Sequence, residues 1–195
     1  MSRLLPIAIV ALLVNFSFAA PDPAAGPRTT LLKFDKLVGP NEADKALPLY
    51  HATNARERAA AAVLAKIDGA LTDLREKAAA KWGREIAEAM IKSVGGTTAA
   101  DIKAAEIKVS GDRATIRYPG SNSPSVMVLV DGEWKLSVKD MMAAFGLPPR
   151  EFRREIQRLT ASVQKVAGKI DRNEYPDAES ASKELLKLTK SGLEE

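Results

Sequence analysis

His51, Tyr118 and Asp140 are candidate side chains for moving a proton. His51 is the single histidine, and an imidazole can act as a general base or as a metal ligand. A structural or catalytic zinc site needs about three or four protein ligands. The chain has no cysteine, and no cluster of acidic residues surrounds His51. We therefore expect His51 to be a local hydrogen-bond partner just before a helix, and Tyr118 or Asp140 to be the acid–base candidates.

The familiar catalytic motifs are absent from the sequence. It contains no G-x-S-x-G, no G-x-x-x-x-G-K-[ST] and no H-E-x-x-H. No pair of carboxylates stands out as a glycosidase dyad. The sequence accordingly assigns no catalytic residue, no metal ligand and no cofactor, and it favours a protein that is not an enzyme.

Aromatic and methionine side chains offer a second kind of site. They could line a pocket between a sheet and helices and bind a small apolar ligand, or they could simply fill the core, since Met packs into irregular gaps. The candidates for the pocket are Tyr118, Met127, Trp134, Met141 and Phe145.

Basic residues recur along a C-terminal helix, on the side opposite its apolar positions. They could dock on an anionic envelope surface, or they could be a solvated outer face diluted by Glu151 and Glu155. The formal net charge of the whole chain is only +4, which does not indicate nucleic-acid binding. The six residues of this basic stripe are Arg150, Arg153, Arg154, Arg158, Lys165 and Lys169.

The N-terminus has the pattern of a secretory signal peptide. An apolar run over 4–14 follows Arg3, and the small residues Ser17 and Ala19 favour cleavage after Ala19. The run is too short to span a bilayer, which takes roughly 20 residues, and no second long apolar segment follows. We predict a signal peptide at 1–19, a bacterial protein exported to the periplasm or beyond, and no transmembrane anchor after cleavage.

The elements that would position these residues begin with helices. Residues 20–48 are rich in Pro and Ala and predict a mostly extended leader. Asn54 and Glu57 predict the start of a long helix with an apolar stripe, which Gly83 ends. A second helix follows over about 84–94, and Thr98 with Asp101 predicts the cap of a short third one.

The apolar period then changes from 3.6 to 2, which predicts an antiparallel sheet of four strands in two hairpins. Gly111-Asp112 and Asp131-Gly132 are the predicted turns, and the last strand is expected to run through Val138. The chain returns to helices near Pro148, and Asp177 predicts the cap of the last one. The first of these C-terminal helices has an apolar seam that could pack within the chain or between two chains: Phe152, Ile156, Leu159, Val163, Val166 and Ile170.

The turn sequence Asp131-Gly132-Glu133-Trp134-Lys135 resembles one found in exported bacterial members of the nuclear transport factor 2-like superfold. The segment 49–53, followed by an Ala-rich helix that ends at Trp82-Gly83, is similar to uncharacterised proteins of that kind. The resemblance covers about residues 49–145 and implies a cone-shaped α+β domain with a pocket between sheet and helix. It transfers no catalytic residue, because no histidine lies in a predicted strand.

The sequence thus predicts an α+β fold with N-terminal helices packed on a small antiparallel sheet. Its parts are a signal peptide (1–19), a leader (20–48), an α+β domain (49–145) and a C-terminal helical extension packed on that domain (146–195). The favoured function is that of an exported non-enzymatic domain that binds a small apolar ligand or an envelope protein, or is structural. The alternatives are an acid–base enzyme with a pocket and a basic-helix module for an anionic surface. A homodimer stays open.

Overall fold

The computed structural model describes residues 25–40, 42–121 and 123–190. The predicted signal peptide therefore lies outside the described residues. Within them, the chain forms an α+β structure of eight helices, one 3₁₀ turn (Leu47–Leu49) and five strands. The helices are α1 (Ala25–Leu37), α2 (Ala43–Ala46), α3 (Ala55–Trp82), α4 (Arg84–Ser93), α5 (Ala99–Ala104), α6 (Val138–Phe145), α7 (Pro149–Asp171) and α8 (Ala178–Lys190). The strands are β1 (Tyr50–His51), β2 (Glu106–Ser110), β3 (Arg113–Arg117), β4 (Ser125–Val130) and β5 (Glu133–Ser137).

The predicted boundaries of α3 are confirmed. The side chain of Asn54 accepts hydrogen bonds from the backbone N–H groups of Arg56 and Glu57, both at 3.0 Å. The carboxylate of Glu57 accepts a hydrogen bond from the backbone N–H of Thr53 at 2.6 Å, which stabilises the turn before the helix. Gly83 ends the helix with a φ of 93°, a conformation that side-chain-bearing residues rarely adopt. The helix thereby spans 28 residues and packs against α7, α4, α2 and α6.

The sheet has the order β1-β5-β4-β3-β2. The two predicted hairpins are confirmed, and β3 also pairs antiparallel with β4, which joins them. The fifth strand, β1, was not predicted. It pairs parallel to β5 through Tyr50 opposite Leu136 and His51 opposite Ser137. A strand of two residues is too short to show alternation, so only the fold reveals it.

The end of β5 differs from the prediction by one residue and a change of element. Val138 was expected to extend the strand, but it is the first residue of α6 and is fully buried. The strand gives way to the helix at Ser137, because the side chain of Ser137 accepts a hydrogen bond from the backbone N–H of Asp140 at 3.3 Å and caps α6.

The predicted extended leader is wrong over its described part, because α1 occupies Ala25–Leu37. Pro27 lies in the first turn, where the missing N–H has no helical partner to lose. Leu31 and, just beyond the helix, Val38 are buried, and Phe34 packs on the same core. Their spacing of three to four residues is that of a helix face, and packing of this face stabilises a segment whose proline content favoured an extended chain.

The apolar side chains form two clusters that α3 and α7 share. A sheet cluster includes Leu64, Ile116 and Phe152, and a helix cluster includes Leu74, Val166 and Leu185. The seam of α7 contributes to both clusters, so it is buried within one chain against α3 and its neighbours. No helix of the described residues is long and apolar enough to cross a bilayer.

Candidate functional site

A cavity of about 680 Å³ lies between α1, α3, the sheet and α6. Most of its wall is apolar. One face of α3 forms part of this wall, with the side chains of Leu64, Ile67, Asp68, Leu71 and Thr72. The remaining wall comes from other elements, among them Leu31, Phe34, Leu136, Met141, Phe145 and Ile156.

Asp68 is the acidic side chain of this wall that faces a phenol instead of a cation. The hydroxyl of Tyr50 donates a hydrogen bond of 2.6 Å to Asp68 Oδ2. Burial raises the pKa of Asp68 to about 7, and the hydrogen bond from Tyr50 only partly offsets this. Burial, together with the negative charge of Asp68, raises the pKa of Tyr50 well above its usual value. Asp68 can therefore gain or lose a proton near neutral pH, whereas Tyr50 remains a neutral donor.

Tyr118 directly follows β3 and lines the same cavity. Burial raises its pKa to about 12, against the effect of a hydrogen bond with Ser125. It is close enough to Tyr50 for the charges of the two phenols to influence each other. The ring of Phe34 packs edge-on against Tyr50, with the centroids 5.9 Å apart. Tyr50 thus contacts Asp68 directly, and the rings of Phe34 and Tyr118 lie near Tyr50 in the same cavity wall.

Two ion pairs also line the cavity. Arg75 contacts Asp35 of α1 at 2.6 Å, and Lys92 contacts Asp101 at 2.9 Å. Although burial opposes it, hydrogen bonds with Thr98 and Lys92 lower the pKa of Asp101, which stays ionised. In both pairs the carboxylate is neutralised by its own cation.

The structure divides the predicted pocket residues. Tyr118, Met141 and Phe145 line the cavity. Met127 is outside the lining and is 1% exposed in the sheet cluster. Trp134 packs against α1 so closely that a Cβ on Gly26 would be 2.8 Å from its Nε1 atom. Met127 and Trp134 are therefore packing residues: Met127 is buried in the sheet cluster, and Trp134 packs beneath α1.

Asp140, the other acid–base candidate, does not line this cavity. Its carboxylate accepts a hydrogen bond from the Ser137 hydroxyl and pairs with Arg113 at 3.0 Å. Burial opposes the effect, but these two partners lower the pKa of Asp140. Asp140 therefore stabilises the N-terminus of α6. Of the two acid–base candidates, Tyr118 lines the cavity and Asp140 does not.

His51 lies half-buried in β1, opposite Ser137 of β5. It lies close enough to Glu57, near the start of α3, for their charges to interact, and a hydrogen-bonding role for its side chain stays a prediction. The described part of the chain contains no group of three or more His, Cys, Asp or Glu that could hold a metal ion.

The basic stripe is partly used in holding α8. Arg158 pairs with Glu155 at 2.6 Å and donates to the carbonyl oxygens of Leu188 and Thr189. Lys169 pairs with Glu184 at 2.8 Å, and Lys165 is 3.8 Å from the same residue. Arg150 and Arg154 are exposed near the start of α7. Docking of this face on an anionic surface stays a prediction.

Tyr50 and Asp68 are the functional candidates that sequence reasoning missed. A signal was present for Asp68, because it lies four residues after Leu64 and three before Leu71, on their helix face. A carboxylate inside an apolar stripe indicates a partner or a cavity. Tyr50 offered no such signal, since β1 was not predicted.

Comparison with known proteins adds no relative to this description. No protein-family model matches the chain, and neither the curated proteins nor the solved structures contain a significant match.

Proposed function

We propose that this chain is an exported binding domain that holds a small, largely apolar ligand between α1, α3 and the sheet. The observation that carries the proposal is the cavity of about 680 Å³ with a mainly apolar wall and one carboxyl–phenol pair. Ligand sites in proteins typically have volumes of about 300–1,000 Å³, apolar walls and a few placed polar groups.

Export is the second part of this proposal, and the sequence at 1–19 supports it. The apolar run, the preceding Arg3 and the small residues at Ser17 and Ala19 match the pattern of a cleaved signal.

The likeness to the nuclear transport factor 2-like superfold is likewise a proposal. It is supported by the Asp131-Gly132 turn sequence and by the presence of a cavity between sheet and helices.

The test is binding of a neutral apolar dye, N-phenylnaphthylamine, to the mature protein. Ala144 lines the cavity and its neighbour Ala143 does not, while both are exposed on α6. We expect Ala144→Trp to fill the cavity and weaken dye binding about tenfold, because it removes the space that the ligand needs.

Ala143→Trp is the matched control and should bind the dye like the wild type. Equal binding by both variants would place the dye elsewhere and contradict the proposal. Failure of the wild type to bind the dye would contradict it as well.

A second candidate function is acid–base catalysis in the same cavity. Asp68 favours it, because a carboxyl group with a pKa of about 7 can both accept and return a proton at neutral pH. Native mass spectrometry of the protein from its own host would identify a bound molecule. Asp73, which is on the same helix, pairs with Lys77 and does not line the cavity, provides the control variant. Chemical change of that molecule by the wild type and by Asp73→Asn, but not by Asp68→Asn, would support catalysis. No change with any of the three proteins would contradict it.

A further inference from the structure

The charges that line the cavity do not cancel. Three carboxylates and two cations contribute to the wall, and both cations are already paired, Arg75 with Asp35 and Lys92 with Asp101. Asp68 has no ion-pair partner among the described residues; Tyr50 is its hydrogen-bonding partner. When Asp68 is ionised, the cavity therefore carries one uncompensated negative charge inside an apolar wall.

The groups near Asp68 suit a cation with an organic body. The ring faces and edges of Phe34, Tyr50 and Tyr118 lie in the same part of the wall. Aromatic rings attract ammonium groups through their quadrupoles, most strongly where water is excluded. The surrounding Leu, Ile and Met side chains provide an apolar surface for the rest of such a ligand.

We propose that the ligand of this cavity is an organic monocation, an apolar body with one ammonium group that pairs with the carboxylate of Asp68. This proposal rests on the proposed binding function and names its ligand class. The ammonium donates to Asp68, whose Oδ2 keeps its hydrogen bond from Tyr50. A neutral ligand of the same shape leaves the carboxylate uncompensated, and an anionic one meets a like charge in a region of low dielectric constant.

Binding should then increase as Asp68 ionises, between about pH 5 and pH 8. The other titratable groups that face it remain constant over this range or are paired. Tyr50 and Tyr118 stay protonated because burial raises their pKa values. The contributions of α6 and α7 to the wall are apolar, and the charged groups from α1, α3, α4 and α5 are the two ion pairs, Asp35 with Arg75 and Asp101 with Lys92.

The experiment compares three probes with the same chain: octylamine, octanol and octanoate, measured by calorimetry or dye displacement. At pH 8 we expect octylamine to bind about tenfold more tightly than octanol, and octanoate to bind most weakly. Octylamine should bind about tenfold more weakly at pH 5 than at pH 8, because the carboxyl group becomes protonated. Octanol should show no such change.

Asp68→Asn keeps the size of the side chain and removes its charge. This variant should lose the preference for octylamine and its pH dependence, while still binding octanol. Asp73→Asn is the matched control, because Asp73 is on the same helix, pairs with Lys77 at 2.9 Å and does not line the cavity. It should bind the probes like the wild type.

The outcomes separate the two proposals. Equal binding of octylamine and octanol by the wild type, or tighter binding of octanoate, overturns the monocation and leaves a binding cavity. Binding of none of the three probes overturns the binding function too. If Asp68→Asn does not fold, the comparison of probes and pH values on the wild type decides the question alone.

Discussion

At the scale of single residues, Asp68 has a thermodynamic cost as well as a candidate role. Its pKa in the folded protein is about 7, whereas an aspartate in an unfolded chain has a pKa near 3.9. Between these values the folded state holds a proton that the unfolded state has released. The contribution of Asp68 to the free energy of unfolding therefore decreases as the pH rises from about 4 to about 7.

Asp68→Asn removes this titration and predicts a change in how stability depends on pH. From pH 5 to pH 8 the wild type should lose on the order of 2 kcal/mol relative to the variant, since one pKa unit corresponds to about 1.4 kcal/mol. Urea unfolding of both proteins at the two pH values measures the difference, in which the other titrating groups cancel. Parallel pH profiles for the two proteins would show that the pKa of Asp68 is not raised in the folded state.

Sequence reasoning located part of this site and missed its polar centre. Tyr118, Met141 and Phe145 were predicted pocket residues, and they line the cavity. The prediction rested on residue type, because aromatic and Met side chains suit a pocket or a core, and the same reasoning also selected the packing residues Met127 and Trp134. The pair of Tyr50 and Asp68 joins residues 18 positions apart, across a strand and a helix, and no local pattern encodes that contact.

At the scale of elements, α1 forms one wall of the cavity, and two polar contacts join it to other elements in addition to its apolar packing. Asp35 pairs with Arg75 of α3 at 2.6 Å, and Arg28 donates to the carbonyl oxygen of Ala105 at 2.9 Å. The Nε atom of Arg28 is buried without a hydrogen-bond partner in the described structure. Because an unsatisfied buried donor costs stability, we expect α1 to be held less firmly than α3 or α7.

Arg75→Met should therefore loosen α1 selectively. Loss of a partly buried ion pair of about 1 kcal/mol would speed amide hydrogen exchange in Ala25–Leu37 about fivefold. The matched control is Lys77→Met, which breaks an ion pair of similar exposure that lies wholly within α3. Exchange measured by mass spectrometry should be unchanged in α1 for this control; equal acceleration in both variants would argue against the clamp.

The elements that the sequence predicted well are those that local interactions define. Thr98 and Asp101 form the predicted capping box of α5, and Asp131 and Gly132 both have positive φ angles in the predicted turn. Such signals act within a few residues. The helix α1 and the strand β1 were missed because packing on distant parts of the chain stabilises them against weak or contrary local preferences.

At the scale of the whole molecule, two apolar clusters depend on the same two long helices. Each cluster contains one tryptophan near its edge, Trp134 beside the sheet cluster and Trp82 beside the helix cluster. Because α3 and α7 pass through both, we expect the clusters to unfold in one transition. The tryptophans allow each cluster to be observed separately.

Leu185→Ala in the helix cluster tests whether the two clusters unfold together. Leu185 is fully buried in the helix cluster, and its truncation should cost about 2–5 kcal/mol of unfolding free energy. Measured in Trp82→Phe and Trp134→Phe backgrounds, the urea midpoint should decrease by the same amount whichever tryptophan reports.

The neighbouring substitution Leu186→Ala is the control. Leu186 is only partly buried and lies outside both clusters, so its effect should be smaller. A midpoint that moves for Trp82 alone after Leu185→Ala would show that the two clusters are independent units.

The parallel pairing of β1 with β5 also determines when the chain can complete its fold during synthesis. Tyr50 leaves the ribosome long before its partner Leu136, and α3 leaves it long before α7, which covers it. A growing chain that has not reached Asp171 holds a helix of 28 residues whose apolar face lacks its main cover. Until then, the Leu and Val side chains of α3 are available to chaperones, and stable tertiary structure comes late.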